Sequence, residues 1–239
     1  MIKKISKPLV ILSVGLLLLA ISAVGSTRAA LNARSEKYIM QANTPKLHVD
    51  LLEEQNGSFV SVEGEDTLKF TSIDRNNFHI GQTYPEKVKV VNNDGCKEFV
   101  RVTVKKSWAN PDKTKDTTLD PRLIELGVNT ADWYENPSES TAEESVYYLL
   151  PVFNPGEEKI LLNSVKINGQ VLEKVTVEDY FENGTKVEGT VVNKYEYNGK
   201  SFYVEVKVDA VQNHSPISAI KNAWGIDVDA DENMIHKIK

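Results

Sequence analysis

The chain holds 239 residues, with 34 acidic against 28 basic side chains and a formal charge of −6 at pH 7. That balance argues against nucleic acid as a partner, because no excess of lysine and arginine is available to neutralise phosphates. A single cysteine, Cys96, excludes an internal disulfide, so stability must come from a packed core.

Residues 1–30 read as a secretory signal: Lys3, Lys4 and Lys7 form a basic head, Leu9 to Val24 an apolar run, and Gly25, Ser26 and Thr27 a small-residue exit. The run is shorter than the roughly 20 residues that span a bilayer. The expected cut lies between Ala30 and Leu31, with the bond between Ala29 and Ala30 as its nearest competitor. Arg28, unusual so close to a cleavage point, keeps an uncleaved membrane anchor open as the alternative. Cleavage would remove Lys3, Lys4, Lys7 and Arg28 and no acid, moving the formal charge from −6 to −10.

Residues 31–45 form an N-terminal extension. Its alternation is imperfect: Tyr38, Met40 and Ala42 face one way, Ile39 the other, and Arg34, Glu36 and Lys37 interrupt. Pro45 cannot donate a ladder hydrogen bond and separates this segment from the domain that follows, residues 46–226.

Strand signals dominate that domain. "KLHVDLL" places Leu47, Val49 and Leu51 on one side of an extended segment. "EKVKVVNNDGCKEFVRVTVKKSW" has the form of a hairpin, with Val88 and Val90 before the "NNDG" turn and Val100, Val102 and Val104 after it. "ESVYYLLPVFNPGEEKILLNSVKINGQVLEKVTV" repeats the arrangement, with "NPGEE" and "NG" as its turns. A last pair joins Tyr195 and Tyr197 through Asn198-Gly199 to Phe202, Val204, Val206 and Val208. Two short helices are expected. "LDPRLIEL" offers Asp120 as cap and Pro121 as first residue, with Leu123, Ile124 and Leu126 on an apolar side. "NHSPISAIKNAWG" offers Ser215 as cap, Pro216 as first residue and Gly225 as stop. "ANPDKTKDTT" and "ENPSESTAEES" read as long exposed loops. The expected fold is all-β, a jelly-roll-like antiparallel β-sandwich with one or two short helices and long loops.

Residues 227–239 read as an acidic, polar tail. Asp227, Asp229 and Asp231 begin as an EF-hand loop does, but its sixth position is Glu232 instead of glycine and its twelfth is Ile238 instead of glutamate. Catalytic patterns are missing as well. His48, His79, His214 and His236 are scattered, none in the H-E-x-x-H spacing that sets two imidazoles and a carboxylate on one helix face. There is no G-x-S-x-G elbow, phosphate-cradling glycine loop or Cys-His constellation. No catalytic, cofactor-binding or metal-ligating residue is expected, and the chain reads as a non-enzyme.

"STRAALNARSEKYIMQANTPKLHVDLLE", "IGQTYPEKVKVVNNDGCKEFVRVTVKKSW" and "YVEVKVDAVQ" together resemble the TasA and camelysin-like exported proteins of Gram-positive bacteria. The resemblance covers both ends and the first half of the chain beyond the signal; residues 112–198 match in general character only. It implies a jelly-roll-like sandwich and a signal cut by a peptidase of the SipW type. It also implies a secreted product that forms extracellular biofilm matrix fibres with itself, head to tail, in company with other matrix components. In such fibres the freed N-terminal segment of one subunit completes a sheet of the next, which here makes residues 31–42 the donor strand and Tyr38, Ile39 and Met40 its candidate anchors. Two alternatives stay open: a camelysin-type surface metallopeptidase, and an envelope-tethered extracellular binding module that keeps its apolar segment.

Overall fold

The computed structural model describes residues 49–62, 64–65 and 67–239. The expected cut at Ala29, Ala30 and Leu31, the expected anchors Tyr38, Ile39 and Met40, and His48 lie outside the described residues. From Val49 onward the chain is an all-β antiparallel sandwich of two five-stranded sheets.

The first sheet holds β1 (Val49–Gln55), β2 (Ser58–Ser61), β3 (Thr83–Asn92), β6 (Ile124–Val128) and β9 (Glu158–Ile167), in the order β2-β1-β3-β9-β6. The second holds β4 (Glu98–Ala109), β7 (Trp133–Glu135), β8 (Glu144–Phe153) and β12 (Ser201–Gln212), in the order β12-β4-β8-β7, and β5 (Lys115–Asp116) pairs with the far end of β4. Period-two alternation puts Val88 and Val90 of β3, Val100, Val102 and Val104 of β4 and Val204 of β12 into the space between the sheets, all at 2% exposure or less.

The second sheet is covered on its outer face too. Phe99, Val146, Tyr148 and Val211 point away from the main core and meet an α-helix, α1 (Pro216–Trp224), through Ile220 and Trp224. This double burial explains why "SVYYLLPVF" in β8 is nearly continuously apolar. A small hairpin, β13 (Val228–Ala230) with β14 (Ile235–Ile238), completes the outer layer by burying Val228 and Ile235. Residues 227–239 are therefore part of the domain and not a solvated tail: their charges face out while alternate apolar side chains face in.

Several turns differ from expectation. The "NNDG" and "NPGEE" segments carry the chain from one sheet to the other, β3 to β4 and β8 to β9, instead of closing hairpins. Asn198-Gly199 likewise leads into β12, which pairs with β4 and not with the strand before it. The Asn-Gly dipeptides that do close hairpins are Asn56-Gly57, between β1 and β2, and Asn183-Gly184, between β10 (Val175–Glu182) and β11 (Thr185–Tyr195). The first expected helix shrinks to a 3-10 turn, Pro121–Leu123, capped by Asp120 through Arg122 N–H; Ile124 and Leu126 continue as β6, because pairing with β9 satisfies their backbone. The second is α1 with Pro216 and the Gly225 stop in place, but Ser215 sits at φ +52° and makes no side-chain cap.

Candidate strand-acceptor edge

β12 is twelve residues long and lies at the edge of its sheet, paired with β4 in unbroken register from Ser201↔Ala109 to Gln212↔Glu98. In an antiparallel strand the N–H and C=O of one residue point to the same side. Val204 O accepts from Leu68 N at 2.9 Å, and Leu68 is not in β4. The even-numbered residues of β12 therefore present their backbone groups to the outer edge, and the odd-numbered ones bond β4. Val206, Val208 and Ala210 are half-buried against the main core. Leu68 N takes one of those outward carbonyls.

The edge starts beside a cleft of about 1070 Å³ lined by Phe70, Phe78, Trp108, Leu172, Tyr197 and Phe202, with Lys69, Lys113 and Lys200 also in its wall. Its aromatic floor is rigid: Trp108 meets Tyr197 edge-on with centroids 4.9 Å apart, and its Nε1 donates to Asp120 O at 2.9 Å.

Two carboxylates are buried at the near end of the sandwich. Glu53 of β1 and Glu86 of β3 are 0% and 1% exposed. A register shift between Pro85 and Val88 places Glu86 at a bulge, facing inward. Glu53 accepts from Lys69 N at 2.8 Å, Phe70 N at 2.9 Å and Gln55 Nε2 at 2.8 Å. Burial first, and then the charge of Glu53, push the Glu86 carboxyl up to about 8. Its Oε1 has no hydrogen-bond partner.

A third cluster gathers Asp94, Cys96 and Glu98, whose donor atoms all lie within 4.8 Å of one another. The Cys96 thiol donates to Asp94 at 3.3 Å and to Glu98 at 3.7 Å, and burial followed by these neighbours pushes it up to about 12. Such a thiol is a protonated donor, not a nucleophile. No described histidine belongs to this cluster. His79 contacts Asn77 O at 2.9 Å, His236 contacts Asp231 at 3.0 Å, and His214 precedes α1. Of the C-terminal acids, Asp227 pairs with Lys221 at 2.7 Å and Asp231 accepts the Asn233 and Met234 N–H groups. They are not converged on one point.

The β10–β11 hairpin forms an arm whose strands pair only with each other, and it exposes Val177, Phe181, Val191 and Tyr195. Ion pairs Lys186–Asp179 at 2.9 Å and Lys194–Glu178 at 2.6 Å tie its strands together. Among the described residues no helix is long and apolar enough to cross a membrane. Comparison of the chain with protein-family models, with curated proteins and with solved structures finds no match.

Proposed function

We propose that the chain is a secreted structural protein that assembles into extracellular biofilm matrix fibres by donor-strand exchange. The segment from Leu31 to Ala42 of one copy adds to β12 of the next. One observation carries the reading: a twelve-residue edge strand offers its even-numbered backbone groups outward above a half-open core. Main-chain hydrogen bonds supply the affinity in such strand addition and tolerate an irregular partner sequence. Side chains then set register. The aromatic cleft at Phe202 gives Tyr38, Ile39 or Met40 a place to be buried, worth roughly 1.5 to 3 kcal/mol for one such group.

The contact is head to tail and does not close on itself, so it propagates into a filament. A peptidase of the SipW type frees Leu31, other matrix components surround the product, and no catalytic residue or cofactor takes part. The test is electron microscopy of the processed chain beside a chain beginning at Thr44. Filaments from the first and folded monomers from the second are expected. Equal filaments from both would make donor-strand exchange the wrong mechanism. Intact-mass analysis of the secreted protein, with Leu31 as its first residue, tests the cleavage.

A further inference from the structure

We infer that the buried Glu53–Glu86 pair is a proton-operated latch on the strap formed by residues 67–72, seating it against the β12 edge while the pair holds one proton and releasing it when the pair holds none. The inference deepens the reading of β12 as an acceptor and rests on it for its consequence, though not for its chemistry.

The strap crosses from the first sheet to the second. At one end Leu68 N donates to Val204 O at 2.9 Å, which blocks one of the outward groups of β12. In the middle, Glu53 Oε1 takes the N–H groups of both Lys69 and Phe70. At the other end Ser72 Oγ donates to Pro85 O and lies 3.4 Å from Glu86 Oε2. Phe70 stands at φ +52°, a left-handed conformation that is strained for an aromatic residue and persists only where its surroundings hold it. Here the holding is done by Glu53 and by the Phe202 ring 5.2 Å away. The strap thus carries a left-handed residue, is joined to neither sheet by a ladder, and takes two of its backbone hydrogen bonds from one carboxylate, beside the bonds Leu68 N to Val204 O, Ser72 Oγ to Pro85 O and Asn56 N to Thr71 Oγ1.

That carboxylate cannot change its neighbour's charge without consequence. Glu53 commits its oxygens to three N–H donors; Glu86, buried beside it with one oxygen unpartnered and its carboxyl pushed up to about 8, is the group that holds the proton. The other charges around the pair do not relieve it. Glu54 of β1 adds repulsion and its carboxylate is taken by Lys87 at 3.0 Å, while the Lys69 ammonium turns outward to Glu65 at 3.0 Å. When the proton leaves, two adjacent anions lie in a space closed to water, and two buried like charges are not sustained. Hydration requires an opening, and the strap is the wall without sheet pairing. Because the Glu86 carboxyl is raised from its ordinary 4.5 to about 8, its contribution to stability is complete below the ordinary value and is lost as pH rises through about 8. Opening frees Val204 O and lengthens the edge available to a donor strand.

The test compares the full chain with Glu86→Gln, which keeps the shape and donor of the protonated carboxyl but cannot ionise. Amide exchange of the strap is read by mass spectrometry as the ratio of wild type to variant at one pH, so the intrinsic pH dependence cancels. A ratio near one at about pH 6 that rises at least about tenfold at about pH 9 is expected; a ratio of one throughout overturns the latch. Should the variant not fold, the carbon-13 titration of Glu86 in the wild type decides: a midpoint near 8 supports the proposal, and one below about 6 overturns it. Control of the edge is read with a synthetic peptide of residues 31–42. Its affinity for the wild type should rise about tenfold between the two pH values and stay level for Glu86→Gln. A strap that opens with no change in peptide affinity shows that the latch does not govern the edge, and the proposal falls. No peptide binding in either protein at either pH counts against the acceptor reading alone and leaves the exchange ratio to decide the latch.

Discussion

Asn92 Nδ2 donates to the carbonyl oxygen of Phe153 at 3.0 Å, joining two of the places where the chain passes from one sheet to the other, β3 to β4 and β8 to β9. The same amide donates to Cys96 O at 2.9 Å, Asn92 N donates to Glu157 O at 3.0 Å, and Asn92 O accepts Gly156 N at 2.8 Å. One fully buried polar residue therefore fixes both crossovers.

Replacing Asn92 with alanine removes three neutral side-chain hydrogen bonds, to Cys96 O, to Phe153 O and from Asp94 N, and should cost about 2 to 3 kcal/mol. Urea unfolding of Asn92→Ala should show a lower midpoint with an unchanged slope. A midpoint equal to that of the wild type would show that the crossovers hold without it.

The same residue explains what the sequence could and could not reveal. Strand phases were legible: Val88 and Val90, Val100 to Val104, and Phe202 to Val208 all alternate, and all point where alternation puts them. Partners were not. Asn-Gly marks a tight hairpin only where both residues have positive φ. That holds at Asn56-Gly57, with φ +53° and +82°, and at Asn183-Gly184, with +49° and +81°. At Asn198-Gly199 only the glycine is positive, at +71°, and Asn168 is at −62°, capping a 3-10 turn. Four identical dipeptides thus do three different things, and tertiary contacts decide which. The carboxylate pair left a fainter signal. Glu53 follows Val49 and Leu51 in the inward phase, and Glu86 precedes Val88 and Val90 in it, so period two alone places both acids inside.

The C-terminal hairpin tests the difference between a tail and a structural layer. Ile235 is 0% exposed and packs in the cluster with Phe99, Tyr148 and Ile220. Ile235→Ala should cost about 2 to 5 kcal/mol, and truncation after Ile226 more, both read as a lowered melting temperature. A truncated chain melting with the wild type would restore the view of residues 227–239 as a solvated tail.

Cys96 should resist thiol reagents. With its thiol raised from 9.0 to about 12, the thiolate fraction near neutral pH falls by roughly a thousandfold. Labelling with a disulfide reagent at about pH 8 should be slower than for free cysteine by two to three orders of magnitude. Asp94→Asn, which removes an acceptor and a negative charge beside the sulfur, should speed it. Labelling of the native protein as fast as that of the urea-unfolded chain would contradict this.

The sharpest test of the acceptor edge uses proline at two neighbouring positions of β12. Val208 is even-numbered, so its N–H points away from β4; Lys207 is odd-numbered, so its N–H belongs to the β4 ladder, opposite Thr103. Proline has no N–H and is tolerated in edge strands when the missing donor faces outward. Val208→Pro should therefore leave a folded monomer, with a melting temperature lowered by the loss of packing at a half-buried valine, while removing a hydrogen bond that an incoming strand needs. Lys207→Pro interrupts the β12–β4 ladder near its middle and should destabilise the fold itself by about 3 kcal/mol or more. Circular dichroism and electron microscopy separate the two effects. The expected pattern is a folded, non-assembling Val208→Pro chain beside a poorly folded Lys207→Pro chain. Normal filaments from Val208→Pro would mean that the donor strand adds elsewhere, and that the outward groups of β12 are solvated and not shared between copies.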